Sequence, residues 1–70
     1  MTKEESRQRM GERIATLRKQ RGMTQQQMAD AIGIQRPHVA RIETGRYNFN
    51  YDVLEQIAQA LGGHIDIVTE

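Results

Sequence analysis

The sequence predicts an all-α domain of four or five helices that ends in a short β-strand. Glycines at positions 22, 33, 45 and 62–63 divide the chain into short segments, and apolar side chains recur at helical spacing inside them. The last segment instead alternates apolar and polar residues, which is typical of a strand. At 70 residues, with 37% hydrophobic and 27% charged residues, the chain suits one globular domain. We therefore expect a single domain over residues 1–70.

The first two helices are predicted from an apolar stripe and from capping residues. A stripe at helical spacing predicts the first helix over residues 5–21. The stripe consists of Met10, Ile14 and Leu17. Thr24 opens the second helix, because Thr24 and Gln27 have the spacing of a capping box. Gly33 ends this helix after about two turns, so it needs tertiary packing to be stable.

The third and fourth helices are bounded by proline, glycine and asparagine. Pro37 is tolerated only in the first turn of a helix, which places the start of the third helix near residues 35–36. Gly45 ends it, and Asn50 is a good N-cap for the fourth helix over residues 51–61. The side chains expected to point inward from helices two to four are Met28, Ala29, Ile32, Val39, Ile42, Leu54, Ile57, Ala58 and Leu61.

A short strand is predicted over residues 64–68, and it has no partner strand in its own chain. Unpaired strands add readily to other strands, so we expect it to pair with the same strand of a second copy across a two-fold axis. The predicted dimerisation residues are Ile65, Ile67 and Val68. The alternatives are a segment that folds onto its own helices or a frayed tail.

Residues 24–45 carry the pattern with most functional content. Two short helices follow one another across a tight turn, and Ala29 is small enough for them to cross closely. Gly33 accepts the unusual backbone conformation of such a turn without steric cost. This arrangement is a helix-turn-helix, whose second helix can enter the major groove of DNA.

The charges are divided unevenly along the chain. All ten Lys and Arg residues lie in residues 1–46 together with five acids, which gives that part a charge of +5. Residues 47–70 hold four acids and no Lys or Arg, which gives −4. Such asymmetry points to a polyanion bound by one part only, although chance is an alternative in a short chain.

Several classes of function are not expected. The chain has no cysteine and only two histidines, far apart, so we expect no metal site and no cofactor. We see no nucleophile–base pair and no glycine-rich phosphate loop, so we do not expect an enzyme. No apolar run approaches the ~20 residues that span a bilayer, and the polar N-terminus does not resemble a secretory signal. We therefore expect a cytoplasmic protein.

The sequence also resembles a known family. Residues 14–61 are similar to the repressor-type helix-turn-helix domain shared by the phage lambda and 434 repressors and the XRE group. The matching stretches are IATLRKQRGMTQQQMADAIGI, RIETG and LEQIAQAL, and the resemblance covers about two thirds of the chain. It implies a lambda-repressor-like fold and a dimeric transcriptional repressor that binds a palindromic operator in double-stranded DNA.

The resemblance and the chemistry of the side chains together predict the DNA-binding residues. These are Thr24, Gln25, Gln35, Arg36, Pro37, His38, Arg41, Thr44, Arg46 and Asn48. By similarity, Arg36, Pro37 and Arg41 occupy positions that read bases, and each arginine could bind guanine through two hydrogen bonds. The alternatives for both arginines are a phosphate contact or a solvated charge. We expect His38 to contact phosphate or face solvent.

Two further expectations come from resemblance. In the repressor family, the positions of Arg18 and Glu43 form a structural ion pair between the first and third helices; the alternative is two independent surface charges. The strand-like tail also resembles HipB-type antitoxins, which bind a toxin as well as operator DNA. An antitoxin that neutralises a partner toxin is therefore the alternative function.

Overall fold

The computed structural model of the protein describes residues 1–69, and these form four α-helices. The helices are α1 (Lys3–Gln20), α2 (Gln25–Ile32), α3 (Arg36–Glu43) and α4 (Tyr51–Ala60). The all-α prediction is confirmed, and each helix lies close to its predicted segment. None of the helices formed by residues 1–69 is long and apolar enough to cross a bilayer.

The helix α1 begins earlier than predicted, because Thr2 caps it. The Thr2 hydroxyl accepts a hydrogen bond from the Glu5 backbone N–H, and the Glu5 carboxylate accepts one from the Thr2 backbone N–H, which completes a capping box. The hydrogen bonds with Thr2 lower the pKa of Glu5. The helix therefore starts at Lys3, two residues before its predicted start.

The predicted boundaries of α2, α3 and α4 agree with the cap geometry. Thr24 and Gln27 form the predicted capping box at the start of α2. Gly33 ends α2 with a φ of 75°, a left-handed conformation that residues with a Cβ rarely adopt. Pro37 lies in the first turn of α3, where its missing N–H costs nothing. The Asn50 side chain accepts from the Val53 N–H and caps α4.

The core lies where the four helices meet. Helix α2 packs against α3 and α4, and α3 packs against α1. Ala29 is completely buried at the crossing of α2 with its neighbours, as its small size predicts. The buried apolar side chains are Ile14, Met28, Ala29, Ile32, Val39, Ile42, Ile57 and Leu61. Of the side chains predicted to point inward, Leu54 and Ala58 are only half-buried.

The predicted inward face of α1 needs one correction. Met10 was expected in the buried stripe, but it remains 38% exposed. The neighbouring Gly11 takes the inward position instead: a Cβ built there would lie 2.5 Å from the Ile42 carbonyl oxygen. Adjacent residues on a helix point about 100° apart, so only one of the two can face α3.

The strand predicted over residues 64–68 is not formed in the single chain. Residues 64–69 have no regular secondary structure. The physical reason is that a strand needs a partner for its backbone N–H and C=O groups, and residues 1–69 contain no other strand. Ile65 is half-buried at an apolar groove between α1 and α4, whereas Ile67 and Val68 are each 86% exposed. Pairing of this segment with a second copy remains a prediction.

Candidate nucleic-acid interface

The two sides of α3 differ sharply in exposure. Val39 and Ile42 are buried in the core, and they anchor the helix to the rest of the protein. On the opposite side, the residues predicted to contact DNA remain open to solvent. These exposed residues are Arg36, Pro37, Arg41 and Thr44, with Gln35 just before the helix. Helix α3 therefore presents a polar face while its apolar face holds it in place.

The guanidinium groups of Arg36 and Arg41 are free to bind an external acceptor. Within residues 1–69, neither group forms a hydrogen bond or a salt bridge. An arginine with all its donors available can bind phosphate as a charge or guanine through two parallel hydrogen bonds. The exposed face of α3 thus has the chemistry that recognition of DNA bases requires.

Arg18 and Glu43 form a buried ion pair between α1 and α3. The Arg18 Nε lies 2.6 Å from Glu43 Oε2, and the Arg18 Nη2 donates to Glu43 Oε1 at 3.0 Å. Arg18 is only 7% exposed and Glu43 only 9% exposed. The hydrogen bond to Glu43 raises the pKa of Arg18, against the opposing effect of burial. Arg18 and Glu43 therefore form a bidentate ion pair rather than two separate surface charges.

Two more contacts connect this ion pair to the start of α2 and to the turn before it. The Arg18 Nη1 donates to the Met23 carbonyl oxygen at 2.7 Å, and the Gln25 Nε2 donates to Glu43 Oε1 at 3.1 Å. Three segments, namely α1, the start of α2 and the end of α3, are therefore joined at one carboxylate. Because these contacts set the position of α3 relative to α2, they orient the exposed face described above.

Gln25 differs from the expectation in one respect. Its side-chain amide is engaged by Glu43, so in this state it does not extend freely towards solvent. The backbone N–H groups of Gln25 and Gln26 have no acceptor within residues 1–69, as is usual in the first turn of a helix. The start of α2 thus offers backbone donors. The Thr24 hydroxyl oxygen accepts from the Gln27 N–H, and its own hydrogen is donated to no acceptor within residues 1–69.

His38 lies in a different environment from the one predicted. It is half-buried, and its ring meets the edge of Tyr47 with centroids 4.3 Å apart and planes at 83°. Its Nε2 atom is buried and has no hydrogen-bond partner within residues 1–69. The Tyr47 ring in turn contacts the Phe49 ring, with the two ring centroids 6.4 Å apart. The three rings attach the loop after α3 to the helix itself, a contact that residue spacing does not reveal.

The loop after α3 presents Arg46 and Asn48 at the surface, as predicted. The structure adds a residue that the sequence analysis missed. The Arg7 Nη1 on α1 donates to the Asn48 Oδ1 at 2.6 Å. A signal for Arg7 exists in retrospect, because Arg7, Gly11, Ile14 and Arg18 recur at helical spacing and form the inward face of α1. Because two arginines and a glycine make up most of this face, the spacing of apolar residues does not indicate it.

A short helix, a glycine turn and a second helix with a buried and an exposed side together define a helix-turn-helix unit. Comparison with known proteins also identifies a helix-turn-helix domain. The chain belongs to the HTH_3 helix-turn-helix family, whose model matches residues 14–68.

Two relatives illustrate the similarity. The chain is 39% identical over 59 residues to the immunity repressor protein of Bacillus phage phi105, covering 84% of this chain. It is 34% identical over 61 residues to the uncharacterized HTH-type transcriptional regulator y4dJ of Sinorhizobium fredii, covering 86% of this chain. The matched regions span 41% of the phage repressor and 79% of y4dJ.

Solved structures share the fold. The restriction-modification controller protein C.AhdI from Aeromonas hydrophila superposes with a TM-score of 0.81 at 27% identity, covering 84% of this chain and 89% of its own. The clp gene regulator ClgR from Corynebacterium glutamicum has a TM-score of 0.81 at 24% identity, covering 84% and 76%. At that identity, the likeness to ClgR supports the fold alone.

Proposed function

We propose that the protein is a transcriptional regulator that binds double-stranded DNA in a sequence-specific manner and acts as a repressor. The observation that carries this proposal is the exposed polar face of α3. Within residues 1–69, Arg36 and Arg41 have no salt-bridge partner on this face, while Val39 and Ile42 anchor the helix. Membership of the helix-turn-helix family and the names of the relatives support the same function.

The proposed contacts fall into two groups. Arg36 and Arg41 read base edges in the major groove, with Pro37 positioned to pack on a thymine methyl group. Backbone phosphates are bound at the start of α2 and along the loop after α3, where the donors are backbone N–H groups and exposed polar side chains. The proposed phosphate-binding residues are Thr24, Gln25, Arg46 and Asn48, with Gln35 and Thr44 at the two ends of α3.

The protein is proposed to bind as a dimer. Ile67 and Val68 expose apolar side chains to solvent, while Ile65 lies at an apolar groove, so pairing of residues 64–68 between two copies would cover them. A two-fold dimer would place two α3 helices about 34 Å apart and match a palindromic operator. The antitoxin alternative gains no support, since the relatives above are named as a repressor and a transcriptional regulator.

The proposal is tested first by binding to duplex DNA at several salt concentrations. We expect the affinity to fall steeply as salt rises, because binding releases the counterions that DNA phosphates hold. Fluorescence anisotropy with a labelled random-sequence duplex measures this dependence. An affinity that stays constant between low and moderate salt would contradict binding through the phosphate backbone.

The second test concerns base readout by α3. Sites selected from random DNA by the wild-type protein define the operator preference, and Arg36→Ala should lose discrimination at one base pair of each half-site. The expected loss is about 1–3 kcal/mol for the preferred base. Arg9→Ala is a matched control, because Arg9 is exposed on α1 away from α3. An identical selection profile for wild type and Arg36→Ala would reject base readout by Arg36.

A further inference from the structure

The N-terminal half of α1 lies directly against the loop that follows α3. A Cβ built on Gly45 would lie 2.8 Å from the Gln8 Cα, and one built on Gly11 would lie 2.7 Å from the Glu43 carbonyl oxygen. The two backbones therefore approach more closely than a residue with a Cβ at either glycine position would permit. This contact fixes the beginning of the loop relative to α1.

A polar groove runs along this contact. It is lined by Glu4, Arg7, Gln8, Thr44, Arg46 and Asn48, together with Gly45 and Tyr47. Arg7 and Arg46 supply two positive charges, and Glu4 supplies one negative charge. Within residues 1–69, none of these three side chains forms a salt bridge. The groove therefore has a net positive charge with no internal partner.

The hydrogen bond between Arg7 and Asn48 determines what this groove offers to a ligand. Because the Arg7 Nη1 donates to Asn48 Oδ1, the acceptor end of the Asn48 amide has a donor, and its Nδ2 donates to no acceptor within residues 1–69. Arg7 keeps its Nε and Nη2 donors, which bind nothing within residues 1–69. The groove thus presents N–H donors next to positive charge, which matches a phosphate group, whose oxygens only accept.

We propose that Arg7, with Asn48 and Arg46, binds a phosphate of the DNA backbone, and so extends the DNA interface from the helix-turn-helix onto the N-terminal half of α1. The inference rests on the proposed function and adds to it a residue outside the segment matched by the family model, which begins at residue 14. Arg7 has two tasks in this site: it contacts phosphate, and it holds the Asn48 amide with its donor end outward.

The test compares Arg7→Gln, Arg7→Lys and the control Arg9→Gln, with stability of each variant checked by thermal unfolding. Binding to a random-sequence duplex is measured over a range of salt concentrations. Arg7→Gln should weaken binding on the order of tenfold and lower the slope of log affinity against log salt by about 0.9 per bound chain, because one phosphate contact is lost. Arg7→Lys should keep most of the slope, and Arg9→Gln should resemble the wild type.

The outcomes separate this inference from the proposed function. If Arg7→Gln and Arg9→Gln bind alike while Arg36→Ala loses base preference, the phosphate site at Arg7 is refuted and the proposed function stands. Equal weakening by Arg7→Gln and Arg7→Lys with an unchanged salt slope would refute it too, by showing a purely structural role. If the wild-type protein binds no duplex in a salt-dependent manner, the proposed function itself fails.

Discussion

At the scale of the residue, the Glu43 carboxylate connects three helices. It accepts hydrogen bonds from Arg18 and Gln25, and so joins α1 and α2 to the end of α3. Buried charges are costly unless they are paired, and here both partners are almost fully covered. We therefore expect the pair to add little net stability and to act mainly by holding α3 in one orientation.

Removal of one partner should be far more harmful than removal of both. Arg18→Met leaves Glu43 buried without its cation and should cost about 3–5 kcal/mol, comparable to the whole stability expected of a core this small. The double variant Arg18→Met with Glu43→Leu should recover most of this loss, because no buried charge remains. Urea unfolding followed by circular dichroism measures both. A single variant within about 0.5 kcal/mol of wild type would contradict burial of the pair.

At the scale of the element, α1 determines how the loop after α3 is supported. Its inward face contains Gly11, which allows the backbones of α1 and α3 to touch. Its N-terminal cap at Thr2 places Arg7, which donates to Asn48, beyond the first turn of the helix. A helix of the length first predicted would still carry Arg7, but in its less ordered first turn.

Gly11→Ala tests the close approach of α1 to α3. Alanine is favoured over glycine inside a helix by about 1 kcal/mol, so the substitution would stabilise a helix whose surface is free. Here the added methyl would lie 2.5 Å from the Ile42 carbonyl oxygen, and we expect a net loss of about 1–3 kcal/mol from the displaced helix. Thr16→Ala on the exposed side of α1 is the control. A stabilised Gly11→Ala variant would show that the helices are not in contact.

At the scale of the whole molecule, we propose different tasks for the basic and acidic parts of the chain. The residues proposed to contact DNA all lie before position 49, in or near the part that holds every Lys and Arg. The acidic remainder forms α4 and the C-terminal segment, where Ile67 and Val68 are exposed. A second copy that covers these side chains would enlarge a core that is small for a stable domain.

Dimerisation through the C-terminal segment predicts that stability depends on protein concentration. The wild-type Tm should rise with concentration, and sedimentation should show a dimer at micromolar protein. Replacing both Ile67 and Val68 by Ser should give a monomer whose Tm no longer depends on concentration. Tyr51→Ser removes another exposed apolar side chain, on α4, and should leave the dimer intact. A monomeric wild-type chain at micromolar concentration would reject pairing through residues 64–68.

Features that depend on neighbours a few residues apart follow from the amino-acid sequence alone. The capping box of α2, the left-handed turn at Gly33, the position of Pro37 and the cap of α4 follow from local backbone chemistry, and they were predicted correctly. The identity of most core positions followed from helical spacing for the same reason. Helical spacing also predicts the exposed polar side of α3.

Features that join residues far apart in the chain depend on how the helices pack in the folded protein. The choice of Gly11 over Met10 as the inward residue depends on where α3 lies, and the contacts of His38 with Tyr47 and of Arg7 with Asn48 depend on the path of the loop. Periodicity states which residues share a face of a helix, but it does not state what that face meets. Spatial partners are set by packing of all the helices together, which is why these contacts appear only in the folded chain.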